Sequence, residues 1–154
     1  MTDKNRGNLL VGIQFLLLAL LGFAPNQELW ATGLLERQLS MLLGVIAIAI
    51  LVIAGINLGK SLTANPVPLE QATLKTNGLY AVVRHPIYLG LLLLGASIVL
   101  QSGSWLHVLV YAALITLLSV KARFEESLLL AKYEGYKQYA SRVGRMLPGI
   151  GRIR

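Results

Sequence analysis

The sequence predicts an all-α polytopic membrane protein, with about four transmembrane helices and a cytoplasmic, amphipathic C-terminal helix. Three observations predict it. Hydrophobic residues make up 55% of the 154 and charged residues only 14%, too few to cover a domain whose solvent is water. Apolar blocks at residues 8–24, 39–58, 86–100 and 105–120 contain no Asp, Glu, Lys or Arg, and without closed strand pairing only a helix satisfies its own backbone in hydrocarbon. Four spans also put the basic residues on one side. Lys4 and Arg6 precede the first block, Lys60, Lys75 and Arg84 fall between the second and third, and eight more follow the fourth, leaving only Arg37 opposite. Lys and Arg stay on the cytoplasmic side, so both termini are expected there, in a single membrane domain spanning 1–154. The expected location is a prokaryotic inner (plasma) membrane.

The first block ends at Pro25-Asn26, where proline disfavours further helix. Its charged head has no small-residue cleavage site, so a retained first helix is expected. The second block is the most uniformly apolar, and its Gly55 and Gly59 have the small-xxx-small spacing of close helix approach, read here as chance or internal packing and not as a dimer contact. A polar connection at 59–84 carries Asn65-Pro66-Val67-Pro68 and the turn signal Asn77-Gly78. Only Gln101-Ser102-Gly103-Ser104 separates the third block from the fourth, which reads as a tight helical hairpin. Residues 121–154 begin as a helix leaving the membrane and end as a basic tail.

Several chemistries are excluded. With no cysteine there is no disulfide, thiolate nucleophile or thiolate-bound metal. Paired metal-binding histidines, phosphate-binding glycine loops and the Gly-x-Ser-x-Gly elbow are missing, so no metal site is expected. The net charge of +7 is distributed as membrane orientation requires, and no nucleic-acid partner is expected. His107 is a lone histidine, read as structural.

Two polar clusters flank the hairpin. In the first, Gly78 to Gly90, Pro86 suits the first position of a helix, which places Arg84 and His85 at a helix mouth where an anion is favoured. Tyr88 stands about one turn along from His85. The second cluster is Lys121-Ala122-Arg123-Phe124-Glu125-Glu126. If its helix continues, Glu126, Leu129, Tyr133, Tyr136 and Ala140 share one face. Lys121 and Glu125 are spaced for an exposed ion pair, or the acidic pair binds hydroxyls or a cation; both readings stay open.

Together, LKTNGLYAVVRHPIYLG and EESLLLAKYEGYKQYASRVGRMLPGI resemble the integral membrane methyltransferases related to isoprenylcysteine carboxyl methyltransferase and the phospholipid methyltransferases. The resemblance covers 73–148 and makes 72–148 the expected cofactor-binding region. It implies S-adenosylmethionine as cofactor, held by Ala72, Thr73, Leu74, Lys75, Tyr80, Arg84, His85, Pro86, Ile87, Tyr88, Glu125 and Glu126. It implies a small or lipophilic methyl acceptor, foremost a carboxylate, and a catalytic set of Glu125 with Lys121 or Arg123 orienting the acceptor. The sequence departs from the family pattern in having Lys121, not arginine, one turn before Glu125, and in the shortened Tyr133-Glu134-Gly135-Tyr136. Rival readings are an NADPH-dependent membrane reductase of sterol-reductase type and a non-catalytic membrane scaffold whose basic tail binds anionic lipid.

Overall fold

The computed structural model describes residues 2–26, 29–69 and 71–153. They form helices α1 (Asp3–Phe23), α2 (Leu34–Leu58), α3 (Pro86–Ser102), α4 (Trp105–Lys132) and α5 (Tyr136–Arg142), with short 3-10 turns at Gly59–Ser61 and Gly78–Ala81. No strand occurs among the described residues. A lone parallel bridge joins Val83 to Gly144.

Local chemistry sets the helix ends. The Thr2 hydroxyl accepts from the Asn5 N–H at 3.3 Å, with Asp3 in the first turn, so side-chain oxygen and negative charge both meet the free donors of that helix end. Pro86 occupies the first position of α3, where its missing N–H costs nothing. Gly103, in the left-handed region at φ 54°, reverses the chain into α4 as a residue without a Cβ can.

α1, α2 and α4 are long and apolar enough to cross a membrane, and α3 is a shorter apolar helix of 17 residues. At ~1.5 Å per residue α3 spans ~25 Å. The 28 residues of α4 reach ~42 Å, more than the ~30 Å of a hydrocarbon core, so one end of α4 stands outside it. α2 and α3 approach closely at Gly90, where a Cβ would lie 2.7 Å from Leu51 Cγ and 3.3 Å from the Ala47 carbonyl oxygen. Leu21, Tyr88, Val110, Leu114, Leu118 and Ala122 form the buried core among α1, α3 and α4. Leu42, Val45, Ile48, Val52 and Ile56 of α2 point outward, as expected of a helix surrounded by lipid.

The helices alternate in direction and thereby sort the connections. At one end Asn65 bonds Asn8, Arg6 lies over Phe124, and Lys121 bonds Gln14. At the other, Leu29 N–H donates to the Gly103 carbonyl and the Trp30 and Trp105 rings meet edge-on at 5.4 Å. The N-terminus, the 59–85 connection and the tail therefore share one end, as the four-span count requires.

Two expectations need correction. The shared face from Glu126 to Ala140 does not form, because α4 stops at Lys132 and Tyr133 turns extended (φ −122°, ψ 114°) before α5 begins. Glu134-Gly135 gives the helix little reason to continue, and the Tyr133 hydroxyl is drawn off to the Ala72 carbonyl. Gly59 has φ 52° at the C-terminus of α2, with nothing within 4 Å of its Cβ position, so it ends the helix instead of packing against another.

Candidate active site

The site lies at the shared end, where the start of α3 meets the emerging end of α4 beneath the tail. Arg84 is buried, and its fork is fully used. Nε and Nη2 donate to Glu126 Oε1, Nη1 to the carbonyls of Ala140 and Val143, and Nη2 also to the carbonyl of Gly151. Arg145 completes the other side, its Nε and Nη2 donating to Glu126 Oε2 at 2.9 and 2.7 Å. The backbone N–H groups of Arg84 and His85 donate to the carbonyls of Gly144 and Arg145, each at 2.9 Å.

This changes the reading of the α3 mouth. The anion held there is the Glu126 carboxylate itself, and the N–H groups of Arg84 and His85 are taken by the tail. Arg84 and Glu126, expected to contact the cofactor, bond each other and hold residues 140–151. Two cations and a buried carboxylate are stable together only when such bonds are complete.

Glu125 is placed differently. It accepts from the Tyr88 hydroxyl at 2.7 Å, and its side chain keeps 28% of its exposure. His85 bridges the two carboxylates, with Nε2 3.3 Å from Glu126 and Nδ1 3.7 Å from Glu125, and its ring stacks on Tyr88 at 5.1 Å and 3°.

Two chambers meet here. The inner one, ≈ 100 Å³, is walled by the connection (Thr63, Asn65, Pro66 and 72–75) and by Tyr133, Tyr136 and Tyr139. The outer one, ≈ 340 Å³, is lined by Gln14, Phe15 and Leu18 of α1, by Leu58 and Leu62, by His85, Ile87, Tyr88 and Leu91, and by Lys121. Leu58, Thr63, Tyr80, Arg84 and Glu125 border both. Tyrosine hydroxyls pin the inner wall: Tyr139 donates to the Tyr80 carbonyl and Tyr133 to that of Ala72. Burial pushes the Tyr80, Tyr136 and Tyr139 hydroxyls above their ordinary value, Tyr139 up to about 12. They stay neutral, so their rings form a dry aromatic wall.

The expected residues thus divide. Ala72, Thr73, Leu74 and Lys75 face the inner chamber, His85, Ile87 and Tyr88 the outer, and Tyr80, Arg84 and Glu125 both. Pro86 is buried and lines neither. Of the two candidate orienting cations, Lys121 is buried within the outer chamber, whereas Arg123 is exposed and lines neither. Lys121 makes no exposed pair with Glu125. Its Nζ donates to Gln14 Oε1 at 2.5 Å and lies 5.3 Å from the Tyr88 ring centre. The first helix supplies a polar group to the site. Gln14 was visible in the sequence as an amide well inside an otherwise apolar stretch of the first span, and polar groups at such depth usually face function. Arg145 had no comparable signal.

A helical membrane bundle with a polar two-chambered site at one end defines a class, the integral membrane enzyme. The chain belongs to the isoprenylcysteine carboxyl methyltransferase family, whose sequence model matches residues 40–131. It is thus a member of a family of membrane methyltransferases. The match runs from the first turns of α2 almost to the end of α4, leaving α1 and the tail outside it. No curated protein and no solved structure matches the chain.

The lining of the inner chamber suits parts of the S-adenosylmethionine that this family uses. The inner chamber offers aromatic faces for a sulfonium cation, and Glu125 retains acceptor capacity for hydroxyls beyond its single bond from Tyr88.

Proposed function

We propose that the protein is an S-adenosylmethionine-dependent methyltransferase acting on a lipophilic acceptor, with a carboxylate the favoured acceptor group. The observation that carries this reading is the meeting of two chambers at Glu125, one walled by polar connection and tyrosines, the other by apolar side chains of α1 and α2. Residues 72–75, Tyr80 and Glu125 would hold the cofactor, with His85 and Tyr88 fixing the glutamate. When bound, the cofactor supplies a methyl group on a positively charged sulfur.

The protein's part is alignment and exclusion of water. The tail is fastened beside the site by Arg84 and by the Arg145–Glu126 pair. A carboxylate is already a nucleophile and needs no strong base. Lys121 is the cation placed to orient it. Exposed Phe15 and Leu62 at the rim of the outer chamber let an apolar acceptor enter sideways from the bilayer, while the cofactor enters from the cytoplasm. In this reading the site end and both termini face the cytoplasm.

Incubating the purified protein with methyl-labelled cofactor and membrane extract, followed by mass spectrometry, tests the reaction. Label is expected in an extractable hydrophobic product that gains a methyl ester. Incorporation into no product would overturn the reading.

A further inference from the structure

Lys121 and Glu125 are four residues apart on α4, a spacing at which opposite charges commonly pair along a helix. No ion pair within 4.0 Å joins them among the described residues. Each turns to a different helix: Lys121 to Gln14 of α1 and Glu125 to Tyr88 of α3. The Lys121 side chain is 1% exposed, and Gln14 is 6% exposed. A buried ammonium without a carboxylate is costly unless a ligand completes it. Its other near group is the Tyr88 ring face, and it lines the outer chamber.

We infer that Gln14 is a positioning residue that keeps the Lys121 ammonium in the outer chamber, apart from Glu125, so that the acceptor is selected by a negative charge on its head. The inference rests on the methyltransferase reading. The amide oxygen is suited to this task because it holds an ammonium without neutralising it, whereas a carboxylate at residue 14 would cancel the charge. Gln14 lies outside the family-matched segment, so this selection belongs to the first helix of this chain. One carboxylate oxygen of the acceptor sits on Lys121 and the other attacks the methyl carbon. The oxygen–carbon bond forms as the carbon–sulfur bond breaks, the electron pair passes to sulfur, and no proton moves.

The test is equilibrium binding to the full chain in neutral detergent, saturated with S-adenosylhomocysteine, using tetradecanoate and tetradecylamine as probes. Wild type is expected to bind tetradecanoate about tenfold or more tighter than the amine, the scale of one charge-assisted contact. Gln14→Leu should erase most of that preference, and Gln14→Glu, by cancelling the charge, should abolish it. Lys121→Arg should keep it. A cooperative thermal unfolding transition in detergent should persist throughout, which reports that each variant is folded. Equal binding of the two probes by wild type, or parallel shifts of both probes in the Gln14 variants, would overturn the inference. Failure of wild type to bind S-adenosylhomocysteine would instead strike the methyltransferase reading.

Discussion

The Tyr88 hydroxyl donates to Glu125 Oε2 across 2.7 Å, tying the first turn of α3 to the emerging end of α4 at the point where the two chambers meet. A hydrogen bond to a charged partner contributes about 1.5–3 kcal/mol, and partial exposure of Glu125 puts this one at the lower end. Tyr88→Phe should therefore lower stability in detergent by about 1.5 kcal/mol and, by releasing Glu125, weaken S-adenosylhomocysteine binding. Titration and a thermal scan of the same preparation check both.

The two neighbouring glutamates should behave oppositely. Glu126 binds Arg84, Arg145 and His85 in a buried cluster, and breaking such a cluster from one side costs about 3–5 kcal/mol. Glu126→Gln should lower stability in detergent by that order and loosen residues 140–151, which limited proteolysis would report. Glu125→Gln should cost little stability and remove cofactor binding.

The α2–α3 contact makes a prediction about packing. A methyl group at Gly90 meets Leu51 and the Ala47 carbonyl, whereas one at Gly12 meets nothing within 4 Å. Gly90→Ala should destabilise by about 1–3 kcal/mol. Gly12→Ala should stabilise slightly, by about 0.5–1 kcal/mol, through helix propensity. Equal thermal shifts for the two would contradict the close approach at Gly90.

The buried tyrosines set an alkaline limit. Their folded hydroxyls hold protons above the ordinary value of about 10, Tyr139 to about 12. Below pH 10 both folded and unfolded forms are protonated, and the contribution is intact. Between about pH 10 and 12 the unfolded chain sheds protons that the folded chain keeps, so stability falls as pH rises. Unfolding midpoints taken across pH 9–12 should decline, and Tyr139→Phe should flatten the decline.

The helices were legible because apolar runs and basic flanks report the solvent directly, and Pro86 and Gly103 marked helix ends by backbone geometry alone. The two clusters were legible as clusters. Their internal pairing was not, because Arg84 and Glu126 find each other across 42 residues, and no local pattern says that a guanidinium beside a helix mouth will turn to a carboxylate of its own chain. Choosing between Lys121 and Arg123 needed the rotation of α4, which buries one and exposes the other. Gln14 was readable as a misplaced polar residue, but its partner on α4 required the packing of α1 against that helix.

Isothermal titration of the purified protein with S-adenosylhomocysteine tests the central claim most directly, comparing wild type with His85→Ala and His107→Ala. His85 stacks on Tyr88 and bridges both glutamates, while His107 is buried near the opposite end of α4. Binding by wild type and His107→Ala, with loss of binding in His85→Ala, is the predicted result. No heat from wild type at millimolar ligand, or equal loss in the two variants, would contradict it.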